Sequence, residues 1–152
     1  RLSTSATSMR IEFLKDNDLQ FNESSEFATV EDYDLWLRLA KNGAVITFID
    51  KTLGDYVVDG GNIIGDWDRF ITNLENLYKY HAYVVQDFEP KKDKIYNQLI
   101  AKIHFQRFQK AIKERKWSEV VYEFIQMFTK SPGLLPRKII SKAFLALNPP
   151  RT

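Results

Sequence analysis

Apolar residues recur along this chain at two different periods, and the change of period marks out its elements. Residues 11–15 read as a short helix, closed by the turn-prone Asp16-Asn17-Asp18. Residues 17–29 are polar and read as a loop packed down at Phe21 and Phe27. From Thr29 the pattern turns helical. Tyr33, Trp36, Leu37 and Ala40 fall at i, i+3, i+4 and i+7, and Leu35 and Leu39 widen the stripe. Thr29 and Asp32 have the spacing of a capping box, and Asn42-Gly43 is the stop signal. Residues 44–49 (AVITFI) bring β-branched and aromatic side chains in succession, which predicts a strand. Residues 53–58 predict a second strand with Gly54 as a bulge, and residues 5–10 a further short one. Asp59-Gly60-Gly61-Asn62 reads as a loop.

Beyond residue 65 the period is helical throughout. Trp67, Phe70, Ile71, Leu74, Leu77, Tyr78 and His81 form one stripe. After Pro90, a helix over 92–116 carries Ile95, Leu99 and Ile103, then Phe105, Phe108 and Ile112. The next helix shows Trp117, Val120, Val121, Phe124, Ile125 and Phe128, with Ser118 in the N-cap place. Pro132-Gly133 breaks the chain before a basic amphipathic helix over 134–147. A single helical hairpin with no second copy argues against a repeat array.

Charge divides the chain where the period changes. Residues 1–65 hold 6 Lys and Arg against 11 Asp and Glu, whereas residues 66–152 hold 16 against 9. From Lys130 to Thr152 there are five basic residues and no acid, the composition of an element facing an anionic surface. The whole, at 152 residues and net charge +2, has a globular composition. The absence of cysteine excludes a disulfide scaffold, a thiolate metal site and a Cys nucleophile. No apolar run reaches transmembrane length. Near-balanced charge without a recognition motif argues against nucleic acid as a partner.

Candidate chemistry gathers at residues 31–34, where Glu31, Asp32 and Asp34 crowd a first helical turn. A helix N-terminus offers free N–H groups that fix a carboxylate and keep it charged. A carboxylate so held can take a proton from a hydroxyl in the transition state of a group transfer. The plain alternative is that any helix favours acids in its first turn. Trp36, on the stripe, reads as core rather than as a sugar-stacking ring, and Arg38 as paired with an acid of the same turn rather than as a phosphate contact. His81 and His104 lack metal-ligand spacing and read as packed histidines. Asp34 reads as a solvated or capping acid.

With its flanks, the string EDYDLWLRLAKNG at 31–43 resembles the ED helix of family 2, GT-A-type glycosyltransferases. The preceding SATSMRIEFLKDNDLQFNES resembles that family's strand–helix–G-x-F-D-E lead-in. The following AVITFIDKTLGDYVVDGGNIIG is similar to its strand pair ending in Y-R-x-H-x-G-x-x-S, with Val57, Asp59 and Ile64 departing from the Arg, His and Ser of that run. The likeness covers residues 5–65. It implies an α/β fragment: the C-terminal part of a GT-A domain, with a few short strands and the ED helix, followed by a mostly α-helical tail. Three parts follow: 1–65 as the acceptor side of the catalytic domain, 66–130 as a helical extension, and 131–152 as a basic amphipathic helix.

The resemblance also implies an inverting transfer from a nucleotide-sugar donor to a glycan or lipid-linked acceptor, in bacterial surface polysaccharide synthesis. Asp32 is then the catalytic base, and Glu31 and Asp59 bind substrate. The family's D-x-D metal motif and nucleotide-binding half have no match here, since Asp16-Asn17-Asp18 lies on the wrong side of the ED string. They are expected upstream, with Mg or Mn bound in the complete enzyme only and none on this chain. Alone, the chain is expected to be inactive and to self-associate through unpaired strand edges near 5–10 or 44–58. The expected location is cytoplasmic, peripheral at the inner face of the plasma membrane. The rival expectation is a non-catalytic α-helical protein-interaction module.

Overall fold

The computed structural model of this protein describes residues 7–52, 54 and 66–133. They form five α-helices: α1 Ile11–Asp16, α2 Glu31–Lys41, α3 Trp67–Tyr80, α4 Lys92–Lys113 and α5 Trp117–Lys130. One π-helical turn, His81–Val85, continues α3. The chain divides into two units between His81 and Ala82.

The expected α/β architecture is not found. Among the described residues there is no strand and no sheet, so this is not an α/β GT-A fragment. Residues 44–49 have no regular structure, and Val45 is 92% and Phe48 85% exposed. The physical reason is that β-propensity measures packing against cross-strand neighbours, and a strand without a partner has nothing to pair with. The edge-strand route to self-association at 44–49 loses its basis with the strand. Residues 7–10 are likewise irregular. Residues 53 and 55–58, the Asp59 loop and the 134–147 helix lie outside the described residues.

Helix ends are set locally, by one device used three times. In the Schellman arrangement a left-handed residue follows the helix, and two N–H groups reach back to its last carbonyls. Asp18 (φ 49), Gly43 (φ 78) and Arg115 (φ 58) occupy that left-handed place after α1, α2 and α4. Leu19, Ala44 and Lys116 then donate to the carbonyls of Leu14, Leu39 and Ala111 at 2.9, 3.0 and 3.0 Å. Asp16-Asn17-Asp18 is thus a helix-closing turn, as its place in the chain indicated, and α4 stops three residues short of the predicted end. Only Gly43 meets no Cβ penalty in this conformation. Arg115→Gly should therefore gain about 0.5 kcal/mol, raising Tm by about 1–2 °C in a thermal melt.

Helix starts match the sequence less well. Asp66 caps α3 by accepting the Arg69 N–H at 2.9 Å. The predicted Thr29 capping box does not form. Val30 takes the N-cap place of α2 without a side-chain bond, and Thr29 sits at φ 76. Phe27 and Val30 are both buried, and anchoring them forces Thr29 between them into the left-handed region. Ser118 is likewise inside α5, whose N-cap is Lys116.

In the first unit, Leu19, Leu35, Trp36 and Leu39 form a buried cluster, with Phe13, Leu14 and Ala44 packed against it. The centre of the α2 stripe is therefore Leu35 and Leu39, while Tyr33 and Ala40 are exposed. Phe27 and Leu19 pin the loop; Phe21 is exposed. The α3 stripe buries Ile71, Leu74 and Leu77 as predicted, and the Asn73 amide donates to the Ala28 carbonyl. In the second unit α4 and α5 pack as a hairpin. Ala101 and Met127 meet beside Phe105, and His104 Nδ1 lies 2.6 Å from Glu123 Oε2. The predicted α5 stripe faces outward instead: Trp117, Val121, Phe124, Ile125 and Phe128 are exposed, while Glu123 and Met127 are buried.

Candidate functional site

The start of α2 is held from three sides. Val30 and Phe27 fix where the helix begins, the Leu35 cluster fixes its inner face, and the Gly43 turn closes its far end. Glu31 and Asp32 therefore stand at a defined place in the first turn, where backbone N–H groups lack intrahelical partners. Both are half-buried. Asp32 Oδ1 accepts the Tyr33 N–H at 2.7 Å. Glu31 Oε2 and Thr29 Oγ1 are enclosed and have no hydrogen-bond partner.

Those two residues line an open hollow of about 350 Å³, whose walls also include Phe21, Glu23, Ser24 and Arg69. Asp32 is the next residue on the same turn but does not line the hollow. The chemistry on offer is specific. A buried carboxylate oxygen calls for an O–H or N–H donor. The exposed Phe21 ring presents an apolar face, and the Arg69 guanidinium supplies a cation. Asp59, the third expected site residue, lies outside the described residues. Arg69 and Phe21 carried no signal in the sequence, because only the folding of the 21–31 loop brings them beside Glu31.

Asp34, in the same first turn of α2, is the centre of a buried polar triad. Asp34 is 0% exposed. Its Oδ2 accepts from Arg38 Nε at 2.9 Å and Nη2 at 2.6 Å, and its Oδ1 lies 2.8 Å from His81 Nε2. Burial pushes the Asp34 carboxyl up, but the hydrogen bonds of His81 and Arg38 and their charges outweigh it, leaving it below its ordinary value. Arg38 Nη2 also donates to the Gln20 carbonyl at 2.6 Å. The expected pairing of Arg38 within α2 is thus present, whereas Asp34 is the opposite of a solvated acid. It ties α2 to the turn after α3 and so steadies the first turn that carries Asp32. Nearby, burial pushes the Tyr78 phenol up to about 12, with Tyr33 adding to the shift.

Trp36 is core, as its stripe position indicated, though its Nε1 has no partner. His81 and His104 are packed against carboxylates. Among the described residues no group of three or more His, Cys, Asp or Glu side chains could hold a metal ion. Among the described residues all regular structure is helical, in two units, and an open, mostly apolar hollow lies at the start of α2. Comparison with protein families, curated proteins and solved structures finds no match.

Proposed function

We propose that the chain is the acceptor-side part of an inverting glycosyltransferase, moving a sugar from a nucleotide-sugar donor to a glycan or lipid-linked acceptor in bacterial surface polysaccharide synthesis. The observation that carries the reading is the place of Asp32, fixed in the first turn of α2, beside an open hollow that Glu31 lines. The acceptor sugar sits in the hollow with a hydroxyl donating to Glu31. Asp32 takes the proton of the attacking hydroxyl as its oxygen bonds to the anomeric carbon. The bond from that carbon to the diphosphate oxygen breaks, and its electron pair leaves with the nucleotide. Mg or Mn, by the family resemblance, serves the donor side. The described residues offer no cluster for it, and no step here runs through one.

The test is transfer of labelled sugar from a panel of nucleotide sugars to extracted lipid and glycan acceptors, using the full-length protein that carries this chain. Labelled product supports the reading; a folded protein inactive with every donor overturns it. Glu31→Gln should raise the acceptor KM about tenfold and leave kcat within about threefold, because it replaces an acceptor atom remote from the bond being made. An unchanged KM would remove Glu31 from the acceptor site.

A second reading, a non-catalytic α-helical protein-interaction module, draws on the all-helical structure of the described residues. The same assay separates the two. The transferase reading puts the protein in the cytoplasm, peripheral at the inner face of the plasma membrane, where a lipid-linked acceptor would present its sugar. Among the described residues no helix is long and apolar enough to cross a membrane.

A further inference from the structure

Among the described residues, the outer face of α5 is apolar and exposed. Trp117, Val121, Phe124, Ile125 and Phe128 recur at i, i+4, i+7, i+8 and i+11, which places them on one stripe about 100° wide. Trp117 is 67% and Phe128 53% exposed. The face toward α4 is occupied by Met127 and the Glu123–His104 pair, and from the row itself Phe124 sets its ring 6.2 Å from Phe108 while remaining 42% exposed. Five large side chains in one row exceed the scattered apolar residues any surface shows.

The charge around the stripe says what covers it. Among the described residues from Lys102 to Gly133 there are seven Lys and Arg against three acids. One of those acids, Glu123, is buried against His104. The other two, Glu114 and Glu119, are engaged by Lys116 at 2.8 and 3.6 Å. The positive excess therefore lies with the other basic residues, among them Lys113 and Arg115 before α5 and Lys130 at its end. A second copy meeting this face symmetrically would bring two such segments together, and like charges oppose that. A nucleic acid would meet the charge but leave the apolar row against phosphates.

An anionic bilayer satisfies both features at once: the row enters the headgroup–acyl boundary and the basic side chains meet the lipid phosphates. We infer that α5 is a membrane-docking helix that lies in the plane of an anionic lipid surface, with Trp117, Phe124 and Phe128 as its inserted side chains. At 14 residues it lies on the bilayer rather than spanning it. The inference does not depend on the transferase reading, because lipid binding is measured without sugar transfer.

The experiment is co-sedimentation of the full chain with vesicles of phosphatidylcholine alone and of phosphatidylcholine mixed with phosphatidylglycerol. Binding to the mixed vesicles only, weakened by raised salt, is expected. Phe124→Ser with Phe128→Ser should lower partitioning at least ~10-fold while the far-UV circular dichroism stays unchanged, since both side chains are exposed. Val121→Ser with Ile125→Ser should act in the same direction. A blue shift of tryptophan emission on binding should disappear in Trp117→Phe, although Trp36 and Trp67 remain. No binding to the anionic vesicles overturns the inference, as does binding that both serine pairs leave intact. A self-associated chain that the serine pairs dissociate, without any effect on vesicle binding, overturns it in favour of a contact between copies.

Discussion

Asp34→Ala is expected to cost about 3 kcal/mol of stability and to lower Tm by about 6–12 °C. The carboxylate is fully buried and receives two bonds from Arg38 and one from His81. Removing it strands both partners. Arg38 keeps the Gln20 carbonyl and some solvent, which holds the cost to the lower part of the range for a broken buried pair. His81 fares worse, because its Nδ1 already has no partner and the ring would then have none at either nitrogen. Asp34→Leu combined with Arg38→Met and His81→Leu should be less harmful than Asp34→Ala alone, since it removes the buried polar groups together. The acid side follows from the sign of the shift. A carboxyl lowered on folding contributes stability that is complete above its ordinary value of 3.8 and fades as pH falls through the lowered one. The gap between wild type and Asp34→Ala in urea melts should therefore be full at neutral pH and shrink well below pH 3.8. A loss under about 1 kcal/mol at neutral pH would reduce the triad to an ordinary surface pair.

What the sequence disclosed and what it withheld separate along one physical line. Helix bodies and ends are local events, so Asn42-Gly43 and Pro132-Gly133 marked their boundaries and the stripe of α3 buried as expected. Which face of a helix finds a partner is not local. The α5 pattern marks Trp117, Phe124 and Phe128 as one apolar row, yet the packed face is the one carrying Glu123 and Met127, selected by His104 and Ala101 on α4. Residues 44–49 have strand composition and lack a strand, because pairing depends on a second segment that composition cannot supply. The site divides in the same way. Glu31 and Asp32 stood out by residue type and position in a first turn. Asp34 looked like one more exposed acid because its partner His81 lies 47 positions on. For Arg38 the sequence pointed to an ion pair with a helix acid, and the acid it meets is Asp34, four residues back.

Turnover by the full-length protein is expected to fall by ~10²-fold or more in Asp32→Asn, with the fold and donor affinity kept. Asn retains the oxygen that accepts the Tyr33 N–H, so the first turn of α2 keeps its geometry and stability should move by only a few tenths of a kcal/mol. What Asn lacks is the capacity to take a proton, and the attacking hydroxyl must then lose it to water. The deficit belongs to the transition state, so kcat and kcat/KM should drop together while the acceptor KM stays near its original value. This separates Asp32 from Glu31, whose substitution acts on KM, and from Asp34, whose substitution acts on Tm. Near-normal turnover in a folded Asp32→Asn protein would remove Asp32 from the role of base. A large fall in Tm would instead make its carboxylate a structural group of the helix start, and the proton would have to be taken elsewhere.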